Sequence, residues 1–333
     1  MLKKIILKFL TKNRRNIYVI NNTKINKIKK KSFKGQIHNF GNKNKNKTFY
    51  VIQREGIGGF FSNLLFVLDH LIICEKLNFI PVIDCKNFPN IYSEKNENSW
   101  TYYFEPVSNH TLDEVYESKK VIFSSDLNEK LIRNYDQIRK NHLHVFKKYI
   151  RVKKYLVKEA ENFLKKNKFK KNEWIGLHWR GNDMKTAPNH PFPPTKNQIT
   201  KLLDEYTKNK NIFAVVDEVE NLSYLKNRYT KIIFFNAFRS SNKKDFYNDK
   251  SFYRRRHRFK QGKEIIIQAL ILSKLETFIG GCSMLSDSIK YLLNRKIKYL
   301  RIDNGVNSKS LIHSLYLWKL KKHLPQFLGG FKD

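Results

Sequence analysis

Apolar positions along this chain fall into short runs of β-rich residues that alternate with stretches of helical period. TFYVIQ (48–53) is followed by the glycine-containing REGIGGFFSN, then by an apolar-periodic stretch from Asn63 to Leu77, then by FIPVID (79–84). That order reads as strand, glycine loop, a helix starting near Ser62, and strand: one βαβ unit. Residues 86–118 are irregular and aromatic, VIFSS (121–125) is a further strand, and helices are predicted near 127–140 and 153–168. The second half repeats the rhythm more clearly. EWIGLHW, IFAVVD (212–217), KIIFF, TFIGG and IKYLRI read as strands. TKNQITKLLDEYTKN (capped by Thr195), VENLSYLKNRY, KEIIIQALILSKL and MLSDSIKYLLN read as the helices between them. Strands alternating with helices of this length imply parallel sheets covered on both faces. Two such sets, joined near 150–170, predict an α/β chain of two doubly wound domains facing a cleft. The expected division is a basic tail (1–46), a first Rossmann-like domain (47–165), a second (166–305) and a C-terminal tail or helix (306–333).

Length agrees with two cores: 333 residues, 41% hydrophobic and 14% aromatic. Charge adds something the pattern does not. Lys and Arg number 66 against 29 Asp and Glu, and the first fifty residues hold 15 basic residues and no acidic one. Such a balance suits nucleic acid, anionic lipid headgroups or phosphorylated substrates. AT-rich coding, which favours Lys, Asn, Ile and Phe, accounts for the same composition without any partner. Cys74, Cys85 and Cys282 form no CxxC pair and fit a reducing compartment. No apolar run is long enough to span a bilayer, and MLKKIILKFL is either a weak interfacial helix or a frayed tail.

Three clusters fall at strand ends, where ligands bind in open α/β sheets. In REGIGGFFSN, Gly56, Gly58 and Gly59 let a backbone approach a ligand, or make a tight strand-to-helix turn. Glu55 beside them is a carboxylate able to take a proton from a substrate hydroxyl. In WIGLHWRGND, Arg180 can grip a phosphate with two N–H groups, His178 can donate to a phosphate or sugar oxygen, and Asp183 can orient the arginine. The next stretch, MKTAPNHPFPP, is a proline-fixed loop suited to wall a cleft. In IGGCSMLSDS, Gly280 and Gly281 end a strand, and Ser283 and Ser286 open a helix, either to bind a diphosphate or as a plain N-cap. Upstream, FRSSNKKDFYNDKSFYRRRHRFKQGKE reads as a long basic loop that includes Arg239 and Arg254 to Arg258. It either closes over an anionic donor, or is solvated, or contacts RNA.

These motifs resemble those of the fucosyltransferase superfamily that includes bacterial nodulation-type α-1,6-fucosyltransferases and protein O-fucosyltransferases. GLHWRGND matches its H-x-R-x-x-D loop. VVDEVENL, NAFRSS and GKEIIIQALILSKLETFIGGCSMLS follow in the family's order, within residues 48–302. The resemblance implies a GT-B fold, a GDP-sugar donor held mainly by the C-terminal domain, inversion at the anomeric carbon and no essential metal or further cofactor. It implies that Arg180 neutralises the leaving diphosphate and that His178 contacts the donor. Asp217 would sit near the nucleotide, Ser283 and Ser286 near the phosphates, and Asp183, Arg239, Gly281 and Gly58 complete the expected donor side. The chain departs from the pattern at Gly181-Asn182, at Met184, at Thr186 where a carboxylate often stands, and at Gln268 where an acid does. The expected base is therefore Glu55, with His190 behind it.

The reading is a cytoplasmic fucosyltransferase-like enzyme of bacterial surface-polysaccharide synthesis. It would act on a glycan or lipid-linked saccharide, with the basic N-terminus holding it at an anionic inner-membrane face. Each Lys or Arg near such a surface adds about 1 kcal/mol. The alternative is a nucleic-acid-binding protein using SFYRRRHRFK, where aromatics beside arginines suit single strands. The absence of an RNA-binding signature and the spread of basic residues along the chain disfavour it.

Overall fold

The computed structural model describes residues 36–56, 58–126, 141–181, 183–207, 210–240 and 254–331. The proposed helices at 1–10 and 127–140 and most of the basic loop (241–253) lie outside these. The chain divides into two compact units. The first comprises the described residues up to Gln53, then Leu65–Asp84 and Pro106–Tyr149. The second comprises Arg54–Leu64, Cys85–Glu105 and Ile150 onward.

In the first unit, β1 (Phe49–Ile52) lies between β2 (Ile80–Ile83) and β3 (Val121–Phe123) in a three-stranded parallel sheet. Helix α1 (Phe60–Leu77) starts two residues before the expected Ser62 and enters this unit at Leu65. Helix α2 (Asn141–Tyr149) joins it through His142 Nε2, 2.6 Å from Asp69 Oδ1, both buried. The expected tail is shorter than 1–46. His38 exchanges backbone hydrogen bonds with Val121, Nε2 of His38 meets Asp126 at 3.0 Å, and Asn44 donates to Glu114 at 3.0 Å. His38 thus pairs with the edge of β3 and Asn44 with the helical turn before it, attachments that composition does not reveal.

The second unit opens on α3 (Lys154–Lys166), whose Leu156, Ala160 and Leu164 are buried. Its sheet holds β4 (Trp174–Trp179), β5 (Asn211–Val216), β6 (Ile232–Ile233), β7 (Thr277–Gly281) and β8 (Lys298–Ile302), all parallel, in the order β6-β5-β4-β7-β8. Every residue of β4 is buried, as a strand covered on both faces requires. Ile175, Leu177 and Trp179 pack with Ile199 and Leu203 of α4 (Lys196–Tyr206) and Leu222 and Leu225 of α5 (Val219–Arg228). The alternate residues, Gly176 and His178, face the other way. A Cβ on Gly176 would lie 2.7 Å from Leu272 of α6 (His257–Ser273). Thr195 caps α4 in a full capping box with Gln198, as its sequence predicts.

Three expectations change. KIIFF pairs through two residues only. MLSDSIKYLLN splits into α7 (Met284–Ser288) and a π turn over Ile289–Leu293. The end of the expected basic loop is helical, because α6 begins at His257. The aromatic segment 85–105 explains this early start. Tyr103 Oη donates to the Phe259 carbonyl at 3.0 Å, Arg256 pairs with Glu97 at 2.8 Å, and Glu94 accepts from Phe259 N at 3.2 Å. Arg254 forms a bidentate pair with buried Glu264. Arg254 is thus tied to a buried partner, whereas Arg255, Arg256 and Arg258 stay exposed. The chain ends in α8 (Leu311–His323), capped by Ser310.

Candidate active site

The strand order of the second sheet fixes where a ligand belongs. The chain runs outward from β4 through β5 to β6, then crosses back to β7 and β8. Between the carboxyl ends of β4 and β7 the connections diverge, leaving a crevice. The residues there are His178 near the end of β4 and Arg180 just after it, with Gly281 ending β7 and Cys282 and Ser283 following it. Together with Met184, Pro193 and Pro194 they line one recess.

His178 pairs in register with Gly280 and is buried. Its Nδ1 lies 2.8 Å from Ser286 Oγ and 3.4 Å from Ser283 Oγ. Ser283 is a true N-cap, since its Oγ accepts from Ser286 N at 3.1 Å. It also donates to Ser286 Oγ at 3.2 Å. Donation from Ser286 to His178 Nδ1 would leave the imidazole proton on Nε2. Burial, with Arg180 adding to it, pushes the His178 pKa down to about 3, so the ring is a neutral donor. Of the two sequence readings of the serines, the structure shows the N-cap, and both hydroxyls also contact the histidine.

Arg180 Nη2 reaches Asp183 Oδ1 at 3.1 Å and Oδ2 at 3.3 Å. Burial works against the Asp183 carboxylate, yet Arg180 and His190 hold its pKa below the usual value. Asp217, at the end of β5, accepts from Gly181 N at 3.0 Å. Burial pushes Asp217 up to about 7, even against the pull of Arg180. A Cβ at Gly181 would lie 2.4 Å from Glu218 Oε2, so a side chain there would displace the Glu218 carboxylate. Glu218 is buried and binds Lys185 Nζ at 2.6 Å and Asn221 Nδ2 at 2.8 Å. This Lys185–Glu218 pair sets the loop after Arg180 and was not foreseen. Its signal was the acidic Asp-Glu step at a strand end, with a lysine soon after the arginine.

The proline loop forms a wall. Trp179 Nε1 donates to Pro194 O at 3.1 Å, and a Cβ at Gly281 would strike Pro194 Cδ at 2.6 Å. The first glycine loop belongs to this unit as well, and a Cβ built on Gly59 would sit 4.0 Å from Arg180 Nη1. Gly58 is tied to its own turn: Asn63 Nδ2 donates to Gly58 O at 3.0 Å, and Arg54 donates to Ser62 O at 2.5 Å. Glu55 is exposed on that loop. His190 Nδ1 is 2.9 Å from Pro188 O. Arg239 does not line the recess. Its Nη groups donate to the carbonyls of Ala237 and Phe235 at 2.9 and 3.0 Å, and its guanidinium stacks on Phe234. Among the described residues no three His, Cys, Asp or Glu side chains stand together as a metal site would need.

Among solved structures, the chain is similar to NodZ α-1,6-fucosyltransferase co-crystallized with GDP, at a TM-score of 0.50 and 14% identity, over 74% of this chain and 93% of that one. The NodZ structure soaked with GDP-fucose matches with the same values. A NodZ fucosyltransferase from Bradyrhizobium has a TM-score of 0.49 at 14% identity, over 74% and 94%. The chain shares the GT-B fold of the NodZ structure co-crystallized with GDP. No family model and no curated protein matches the sequence. The likeness lies in the three-dimensional arrangement, with few identical residues.

Proposed function

We propose that this chain is a glycosyltransferase that moves fucose from GDP-fucose to a glycan acceptor, with inversion and without a metal. The observation that carries the reading is the pairing of a cation, Arg180, with a neutral N–H donor, His178, in the crevice between β4 and β7. That is where a sheet of this order takes a nucleotide. The fold it shares with structures holding GDP or soaked with GDP-fucose adds support.

In the proposed reaction the bond from the anomeric carbon to the β-phosphate oxygen breaks, and its electron pair stays on the diphosphate. Arg180 meets the growing charge, and His178 Nε2–H donates to a phosphate oxygen. Stabilisation of this kind supplies a few kcal/mol per well-placed donor. The acceptor oxygen attacks from the opposite face and loses its proton to a base, for which Glu55 is the candidate and His190 the second. The acceptor would be a surface glycan or lipid-linked saccharide, and the basic N-terminus would hold the protein at an anionic membrane face.

Calorimetric titration with GDP, UDP and a single-stranded oligonucleotide tests the first step. The reading requires GDP to bind best and to keep most of its affinity as salt rises. Oligonucleotide binding that outlasts GDP binding would sink it, since phosphate-backbone affinity collapses with salt. Transfer assays with GDP-fucose and GDP-mannose then test the sugar.

A further inference from the structure

We propose that the outer face of α8 docks on an anionic lipid bilayer. Leu311, Ile312, Leu315, Tyr316 and Leu320 are exposed by 64, 69, 42, 63 and 57%. At 100° per residue the first four share one side through two turns. Single exposed apolar residues are ordinary; four on one side are not. The helix is held by its other side. Ser314 is buried, and its carbonyl accepts from Asn307 Nδ2 at 3.0 Å. Lys185 Nζ stands 5.5 Å from the centre of the Trp318 ring, and Lys321 Nζ 5.8 Å from that of Phe192. The outer side is therefore presented by a fixed helix.

Charge selects the occupant. Residues 304–331 contain no Asp or Glu, and Lys309, Lys319 and Lys322 are exposed around the apolar residues. Lysine stems can lie along acyl chains while their ammonium groups reach anionic headgroups, and the tyrosine ring suits the same boundary. A second copy fits worse, because a two-fold contact would bring the lysines of both copies together with no acidic residue among them. This face works differently from the N-terminal charge run. It buries apolar area, so its contact should survive salt that screens charge alone. Because α8 packs on the loop after Arg180, docking would hold that loop near a lipid-linked acceptor. That consequence rests on the transferase reading; docking does not.

The test is flotation of the full chain with vesicles of phosphatidylcholine and phosphatidylglycerol, against phosphatidylcholine alone, at low and high salt. The wild type should favour the anionic vesicles and keep part of its binding at high salt. Ile312→Ser with Tyr316→Ser should lower that salt-resistant binding about tenfold. Lys319→Glu with Lys322→Glu should weaken the preference for anionic lipid without abolishing it, since the basic N-terminus contributes as well. Unchanged melting and GDP affinity show that each variant is folded, and neither reading needs transfer activity. Equal flotation of the Ile312/Tyr316 variant and the wild type overturns the proposal. So does a wild-type dimer that this variant dissociates, which would assign the face to a second copy. Wild-type flotation that does not favour the anionic vesicles would also overturn it.

Discussion

His178 and Ser286 stand 108 positions apart in the chain and meet at 2.8 Å across the crevice between β4 and β7. A serine that donates to this Nδ1 leaves the imidazole proton on Nε2. Ser286→Ala removes the donor to Nδ1 and frees the ring to take the other tautomer. GDP affinity is expected to fall several-fold and turnover about tenfold or more, with the fold intact. Ser286→Thr should restore most of both, and equal binding by the alanine variant would show that the contact does not govern the donor. Nitrogen-15 NMR of the His178 ring reads the tautomer directly.

The neutrality of His178 has a pH signature. Its unfolded imidazole titrates near 6.5 and its folded one near 3. Between these values the unfolded chain takes up a proton that the folded chain does not. The stability it contributes is full above about pH 6.5 and is lost as pH falls toward 3. His178→Asn should flatten this part of the stability profile by up to about 1.4 kcal/mol per pH unit. Urea unfolding of both proteins from neutral to mildly acid pH measures it.

Asp217 works in the opposite sense. Its pKa rises from 3.8 to about 7 in the fold. The folded chain therefore binds the extra proton, and the stability this contributes is lost as pH rises through 7. Asp217→Asn keeps an oxygen for the Gly181 N–H and should be more stable than the wild type near pH 8. In the wild type GDP should bind more tightly as pH drops through 7, because a neutral Asp217 leaves Arg180 its full field. In the asparagine variant that pH dependence should disappear; its persistence would place the titrating group elsewhere.

Arg180→Ala is expected to cut transfer about a hundredfold, some 3 kcal/mol, without loss of the fold. Lysine should rescue it poorly, since a point charge does not replace a fork of N–H donors. Steady-state kinetics with GDP-fucose reads both, and near-normal turnover in the alanine variant would end the assignment.

Gly181→Ala should cost about 1–3 kcal/mol, because the new methyl would lie 2.4 Å from a Glu218 oxygen that Lys185 holds in place. Thermal melting reports the loss. Glu218→Gln in the same background should recover little, because the oxygen stays and the charge pair goes.

Much of this site was legible in sequence because the chemistry sits at strand ends. Buried runs such as WIGLHW and TFIGG name their strands, and the polar residues just beyond them name the crevice. What the sequence hid was long-range. Nothing local says that Ser286 serves His178, that Glu218 pairs with Lys185, or that Arg239 turns onto its own backbone. The extent of the arginine loop was misread for the same reason. Arg254 and Arg256 look solvated until Glu264 and the distant Glu97 are placed beside them. His38 looked like tail because its partner, Val121, belongs to a strand edge far along the chain.

The segment 85–105 bears on how the protein is made. Tyr103 waits for Phe259, 156 residues later, and stacks on it with ring planes 14° apart. During synthesis the earlier aromatic residues emerge long before α6 exists to cover them. Closing so long a loop adds only about 0.6 kcal/mol per doubling of its length, so the delay is a matter of time more than of equilibrium. In that interval Tyr102 and Tyr103 present an uncovered aromatic surface on the nascent chain. A chaperone that shields such surfaces would raise the yield of folded protein, and a chain that stops before residue 259 would aggregate.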